Sequence, residues 1–309
     1  FQRDEEALMN PCLVRWLCSG AMAVLASTGC RAFDLGVNIH HGGSPERNEQ
    51  VAVVMQQRGL KTARMDLIFG KELGPFRDQV QRIKARGGAV EVSLQPGFQW
   101  DHTCSRDLAG LERAAYEQSR GAVDAVKDLI GDFELLNEAQ LRPEVQREVP
   151  WNSVGTSAAP YAGKACVASL AAGVRGMSRA VRDVAAAAGL PLRIILGVVG
   201  RDFGFLTAMQ QQGVQFDVVG FHVYPHHHQA SLLSVPWYGP GGPLAQLAAF
   251  GKPVHINEMN CAEIYRDAYE NEPGKPVTES CLRSLAKHLG DLGSQAVARI
   301  ESVHIFELL

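Results

Sequence analysis

Two Asn-Glu pairs close two apolar runs of this chain, LLNEAQ at 135–140 and HINEMN at 255–260. One such pair alone reads as a cap or an ion pair at a strand-helix turn. Two of them, each set directly after a hydrophobic segment, supply two carboxyl groups that can face each other across a cleft. A carboxyl held protonated donates to a leaving oxygen. A carboxyl held ionised attacks the carbon from which that oxygen departs. Together they are the equipment for cleaving the acetal bond between sugars, and the retaining form of the reaction needs them about 5–5.5 Å apart. Glu138 and Glu258 are therefore the candidate catalytic pair.

The elements that must position them alternate strictly. Strand-like runs stand at 34–39, 62–68, 89–94, 133–137, 192–199, 216–224, 253–257 and 302–308. Helical segments lie between them at 46–59, 75–88, 108–130, 161–189, 203–213, 243–251 and 277–293. Eight β units joined by helices predict a parallel sheet covered by helices, and eight is the number that closes a (β/α)8 barrel. The 309 residues suit such a barrel, which takes about 250. An open doubly wound sheet is the rival, and it wants a Gly-rich phosphate turn after the first strand. NIHHGGSP (38–45) lacks the GxGxxG pattern. The last strand runs to the end of the sequence, so the barrel over 33–309 is expected to be cut short before its eighth helix.

In a barrel of this kind the strand ends at one rim build the site. Those ends offer His40 and His41, then Arg64, Asp66 and Phe69, then Gln95 with Trp100 beyond it. His222 and Tyr224 follow on strand six and Glu307 on strand eight. Strands four and seven, which carry the Asn-Glu pairs, lie across the mouth from each other. Polar and aromatic groups on one rim suit a hydroxyl-rich ligand such as a sugar. Trp151, Trp237 and Tyr238 sit in loops where ring faces can stack on sugar or pack within the loop, and Trp237 is retained as a candidate contact. His40 serves equally as a core residue or a sugar contact.

The order Arg64, Asn137-Glu138, His222-Val223-Tyr224, Glu258 resembles the clan A glycoside hydrolases, retaining enzymes on barrels. The resemblance covers roughly Phe33 to Leu309. It implies that Glu138 is the general acid/base and Glu258 the nucleophile. Asn137 would bond the sugar 2-hydroxyl, Tyr224 and Arg64 would hold Glu258 ionised, and His222 would line the subsite. Within the clan, LGVNIHH, GLKTARMDL and the terminal FELL are most similar to family 39 and its bacterial exopolysaccharide-hydrolase relatives. Phe306-Glu307 stand where many members carry Trp, and Gln95 where some carry His, so the substrate is less defined than the catalytic pair. The implied partner is a polysaccharide or oligosaccharide, and no cofactor is called for. A barrel that binds carbohydrate for exopolysaccharide export without catalysis is the alternative, and the same residues would also serve a transglycosylase.

The rest of the sequence narrows the classes. A formal net charge of −3 without a basic stripe argues against nucleic acid as a partner. Residues 1–8 read as an upstream extension. From Met9 to Ala32 the chain resembles a secretory signal peptide: Arg15, an apolar core at 16–26 too short to span a bilayer, and Cys30-Arg31-Ala32. It implies a secreted or periplasmic protein with no membrane insertion after cleavage; lipid anchoring at Cys30 is the lesser option, since Ser27 stands where Leu is usual. Cys104, Cys166, Cys261 and Cys281 show no zinc spacing, and oxidised or idle thiols both remain open. His226-His227-His228 are consecutive and converge poorly on one ion, so no metal is assigned.

Overall fold

Eight parallel strands pair in chain order and close on themselves. They are β1 Asp34–Ile39, β2 Thr62–Ile68, β3 Ala89–Gln95, β4 Asp132–Leu135, β5 Arg193–Val199, β6 Val218–Val223, β7 Val254–Met259 and β8 Ile300–Ile305. The helices are α1 Pro45–Gln57, α2 Leu73–Ala85, α3 Leu108–Val126, α4 Pro143–Glu148, α5 Ala165–Ala188, α6 Gly204–Gln211, α7 Gly242–Ala248 and α8 Glu279–Ser294. The protein is thus a (β/α)8 barrel. The computed structural model describes residues 33–40, 42–68, 70, 72–95, 104, 106–224, 231–233, 236–261 and 279–306. The leader-like segment, His41, Phe69, Trp100, His226 to His228 and Glu307 lie outside the described residues.

Local chemistry sets the element ends. Ser44 caps α1 by accepting from the Arg47 amide, and Asp107 caps α3 through the Gly110 amide. Gly189 ends α5 in the left-handed conformation at φ 64°. Three differences from the sequence reading bear on the site and its surroundings. The helix expected over 161–189 begins at Ala165, because Ala159–Tyr161 form a 3-10 turn around Pro160 and Gly163 turns left-handed. A short α4, opened by Pro143, was not expected. Finally, β4 stops at Leu135 while β7 runs to Met259, so Glu258 lies within its strand instead of beyond it.

Strand residues alternate between two environments. Met65, Val92, Phe133, Leu196, Phe221, Ile256 and Val303 are buried under the helices. The inward set is polar: Asn38, Thr62, Arg64, Glu91, Ser93, Glu134, His222, His255, Asn257, Ser302 and His304 are all less than a tenth exposed. Strands of a parallel barrel are ordinarily apolar on both faces, so this interior is a hydrogen-bonded site extending down the barrel. Small residues make room for it. A Cβ on Gly197 would lie 2.8 Å from Glu134 Oε1, and one on Gly220 would lie 2.9 Å from Asn257 Oδ1. Gly197→Ala is expected to destabilise the fold by about 1–3 kcal/mol through overpacking against a group that cannot retreat, measured by urea unfolding.

Outside the barrel, Cys104 and Cys166 form a disulfide between the segment before α3 and the first turn of α5. Cys261 is disulfide-bonded as well. Among the described residues no helix is long and apolar enough to cross a membrane. The Ala run at 185–188 closes α5.

Candidate active site

Two backbone irregularities aim the carboxylates. Simple alternation along β7 would point His255 and Asn257 inward and Glu258 outward. The pairing shifts between Phe221 and His222, which face Ile256 and Glu258, so β7 carries one extra residue there. This bulge turns Glu258 into the barrel beside Asn257, the kind of re-aiming that bulges next to active sites perform. On the other side, Leu136 at φ 66° and Glu138 at φ 45° both adopt the left-handed region. Such backbone costs a non-glycine residue about 1–3 kcal/mol and persists only where its surroundings enforce it. Here it brings Glu138 off the end of β4 toward the barrel axis.

The carboxylates meet around His222. One atom each from Glu138, His222 and Glu258 lie within 4.8 Å of one another. Tyr224 donates its hydroxyl to Glu258 Oε2 at 2.6 Å, and Arg64 Nη1 donates to Glu258 Oε1 at 2.9 Å. Both oxygens of Glu258 are therefore held. Arg64 also donates to Glu134 Oε2 at 2.6 Å, Asn38 Oδ1 at 3.1 Å and Asn137 Oδ1 at 2.8 Å. His222 sits with Nδ1 3.2 Å from Glu138 Oε1 and Nε2 3.2 Å from Glu134 Oε1. Buried Glu134 thus fixes both the cation beneath Glu258 and the imidazole beside Glu138.

The surroundings of Glu258 favour its ionised form. Burial pushes the Glu258 carboxyl up. The charges of His222 and Arg64, with hydrogen bonds from Tyr224 and Arg64, outweigh that and hold it below the usual carboxylate value. Burial opposes a charged His222, but Glu258 and the hydrogen bonds to Glu134 and Glu138 raise it to about 10. Deeper in the barrel His255 Nδ1 lies 2.7 Å from Glu91 Oε2, and Asn257 donates to Glu91 Oε1 at 2.7 Å. Burial works against the His255 charge, yet Glu301 and Glu91 raise it to about 9. Burial likewise disfavours ionised Glu91, which His304, His255 and Arg64 nevertheless lower to about 2. A histidine raised in this way stabilises the fold fully below its unfolded value, about 6.5. That stability is lost as pH rises through its folded value. The melting temperature is therefore expected to fall between about pH 6.5 and 9, with the fall reduced in His255→Asn, as thermal melts across that range will read.

The structure brings Glu138, Glu258, Asn137, His222, Tyr224 and Arg64 together. Arg64 and His222 lie lower than a rim position: they are 5% and 1% exposed and bond to carboxylates. His40 is 61% exposed, with Nδ1 3.5 Å from Asp66, and its ring meets the edge of Phe306, which also packs against Tyr224. Trp237 lies exposed on the β6–α7 loop beside Arg201. Asn257 braces Glu91. Glu91, Glu134, His255 and His304 were missed by the sequence reading. Their signal was there, in polar residues two apart inside apolar strands, as in AVEVSLQ (89–95). Glu138, His222 and Glu258 have the residue types to ligate a metal, but Arg64 and Tyr224 already supply positive charge and donors to both Glu258 oxygens. The arrangement sets Glu258, favoured in its ionised form, beside a second carboxyl, Glu138.

No protein-family model matches the chain, and no curated protein matches it. Solved structures do. A family 1 beta-glucosidase from Exiguobacterium antarcticum B7 superposes with a TM-score of 0.56 at 11% identity, covering 89% of this chain and 88% of its own. A rice beta-glucosidase gives 0.54 at 11%, covering 88% of each chain. An endo-1,4-beta-mannanase from Rhizomucor miehei gives 0.50 at 14%, covering 91% and 87%. At these identities the likeness establishes a shared barrel fold.

Proposed function

We propose that this chain is a retaining glycoside hydrolase of the clan A type, acting on a polysaccharide or oligosaccharide with Glu258 as nucleophile and Glu138 as general acid/base. The observation that carries this reading is the close and unequal pair: oxygens of Glu138 and Glu258 within 4.8 Å, one carboxyl clamped ionised and the other free of such a clamp from Arg64 or Tyr224. An inverting enzyme needs about 6.5–9.5 Å between its carboxyls to seat a water, whereas a retaining one needs about 5–5.5 Å. The glycosidase neighbours on the same barrel support the reaction class. The resemblance of LGVNIHH, GLKTARMDL and FELL to family 39 is what suggests a finer placement within the clan.

In this mechanism Glu258 attacks the anomeric carbon while Glu138 protonates the departing oxygen, leaving a glycosyl ester on Glu258. Glu138, now ionised, takes a proton from water, and the resulting hydroxide displaces Glu258. His222, with Nδ1 3.2 Å from Glu138 Oε1, stands beside the acid/base in both steps. Asn137, exposed and held through Oδ1 by Arg64, would bond the sugar 2-hydroxyl, and His40 would offer a rim contact. The leader-like segment at 9–32 supports export, where such polymers occur.

Incubation with 2-deoxy-2-fluoro glycosyl fluorides followed by peptide mass spectrometry tests the reading. Slow turnover of these reagents leaves the nucleophile esterified. A labelled peptide containing Glu258 is expected. Labelling of another carboxylate refutes the assignment, and no labelling by a broad panel favours a barrel that binds carbohydrate without cleaving it.

A further inference from the structure

The two exposed tryptophans among the described residues, Trp151 at 47% and Trp237 at 42%, share one patch of the catalytic face. They come from different loops, after β4 and β6, and Arg201 after β5 joins them. The Arg201 guanidinium lies 5.6 Å from the Trp237 ring centre. Its Nε donates to the Asn152 carbonyl at 2.6 Å, and its amide donates to Asn152 Oδ1 at 3.2 Å. Trp151 is thereby tied to Arg201 through its neighbour. Gly200 lets the indole close in, since a Cβ there would stand 2.9 Å from Trp151 Nε1.

This patch is rigidly built. Asn152 takes the left-handed conformation at φ 59°, and the carboxylate of buried Asp202 accepts from the amides of Asn152 at 2.6 Å and Val154 at 3.1 Å. Trp237 meets buried Tyr238 edge-on at 4.8 Å between ring centres, and Tyr238 packs on Phe221 of β6. Exposed indoles held this firmly present ring faces at little further entropic cost, the condition for stacking on a flat, partly apolar ligand face.

The turn that carries the proton donor is joined to the strand that leads into the patch. Glu138 opens a short turn, with the Leu141 amide bonding its carbonyl at 2.8 Å. In that turn Gln140 donates to the Val199 carbonyl at 3.1 Å, and Val199 directly precedes Gly200. A leaving group takes its proton from Glu138 and so must depart along Glu138's side of the mouth. Moving outward from Glu138 by way of β5, the surface reached is Trp151, Arg201 and Trp237.

We infer that Trp151 and Trp237, bridged by Arg201, form a binding surface for the sugar units on the leaving-group side of a glycan chain, so that the protein cuts chains internally. This rests on the reading of Glu138 as proton donor. The test compares the wild type with Trp151→Ala, Trp237→Ala and the double variant on cellohexaose, laminarihexaose and mannohexaose, against the matching nitrophenyl monoglycosides. In the double variant kcat/KM for the hexasaccharide is expected to fall at least about tenfold further than for the monoglycoside, each tenfold being about 1.4 kcal/mol. Equal falls on both, or none, overturn the inference. Trp→Phe replacements, which keep a stacking ring, are expected to restore most of the difference; if they match the Ala variants, the inference also fails. Calorimetric titration of the hexasaccharides into Glu138→Gln protein separates this from failure of the hydrolase reading. Binding that needs the two tryptophans upholds the surface even without turnover, whereas binding that ignores them, or no binding, overturns it.

Discussion

Glu258→Ala is expected to lower kcat by at least about 10⁴-fold, the scale on which loss of a covalent nucleophile is felt, and azide is expected to restore turnover with inverted product. The stereochemistry follows from the site. Removing Glu258 opens a void on the face of the sugar opposite the leaving group. Arg64 and Tyr224, which held the carboxylate at 2.9 and 2.6 Å, remain to receive a small anion. Azide entering there makes one displacement, so the glycosyl azide has the opposite anomeric configuration. Glu138→Ala has a different signature. Loss of a general acid costs about 10²–10⁴-fold, concentrated on substrates with poor leaving groups, because a dinitrophenolate departs without a proton. Its glycosyl ester still forms on Glu258, and azide attacks from the emptied Glu138 side. Two displacements give retained configuration. The anomeric coupling constant of each product reads the outcome, and the same configuration from both variants would refute the assigned pair.

Arg64→Met is expected to destabilise the protein by about 3–5 kcal/mol, the penalty for leaving buried charge without its partner. Arg64 is buried and bonds Glu134 at 2.6 Å and Glu258 at 2.9 Å, with Glu91 at 4.0 Å. Desolvation works against its charge, but Glu134 and Glu258 more than compensate and hold the guanidinium above its ordinary pKa. Without it, the three buried carboxylates keep histidines as their cationic partners among the described residues, with neutral donors only from Tyr224 and Asn257. Arg64→Lys is not a rescue, since one ammonium on a flexible stem cannot reach Asn38, Glu134, Asn137 and Glu258 in the geometry of a planar fork. Urea unfolding measures the loss. The acid limb of activity is the second readout. Glu258 loses a cation that lowers its pKa, so that limb is expected to move to higher pH. A stability change under about 1 kcal/mol would mean the carboxylates are neutral or solvated in the folded protein, contrary to the network described.

Much of this was legible in the chain. The alternation of short apolar runs with amphipathic segments required a helix-covered parallel sheet, and the count of eight closed it. Glu138 and Glu258 stood out because Asn-Glu ended two strands that such a closure sets opposite each other. What escaped was set by the third dimension. The bulge at Asn257 leaves no mark in composition, yet it decides whether Glu258 faces the mouth or the helices. The left-handed backbone at Leu136 and Glu138 occurs in residues with no preference for it, so tertiary contacts impose it. Arg64 read as a rim residue because strand two was judged by its end, whereas its position in mid-strand puts it under the site. Glu91 and Glu134 sat inside apolar runs, where only the period of two separates an inward carboxylate from an outward one.

The polar barrel interior changes how this protein can be altered. In most globular proteins the residues that secure the fold and those that do the work are separable, so one set can drift or be redesigned while the other is kept. Under the proposed function the centre of this barrel serves both. Arg193 bonds Asp132 and Glu301 at one end, Glu301 reaches His255, His255 reaches Glu91, and Arg64 and Glu134 carry the line to the catalytic pair. Substituting apolar residues there to gain heat resistance would dismantle the proposed reaction centre. Tolerance to change is left to the outer layer, away from the close contact of α5 with α3, where a Cβ on Gly176 would stand 2.2 Å from the Glu112 carbonyl oxygen. A thermostabilised version of this protein should therefore be sought in its helices and loops, and a library confined to the strand interiors should yield mostly folded-but-inert or unfolded members.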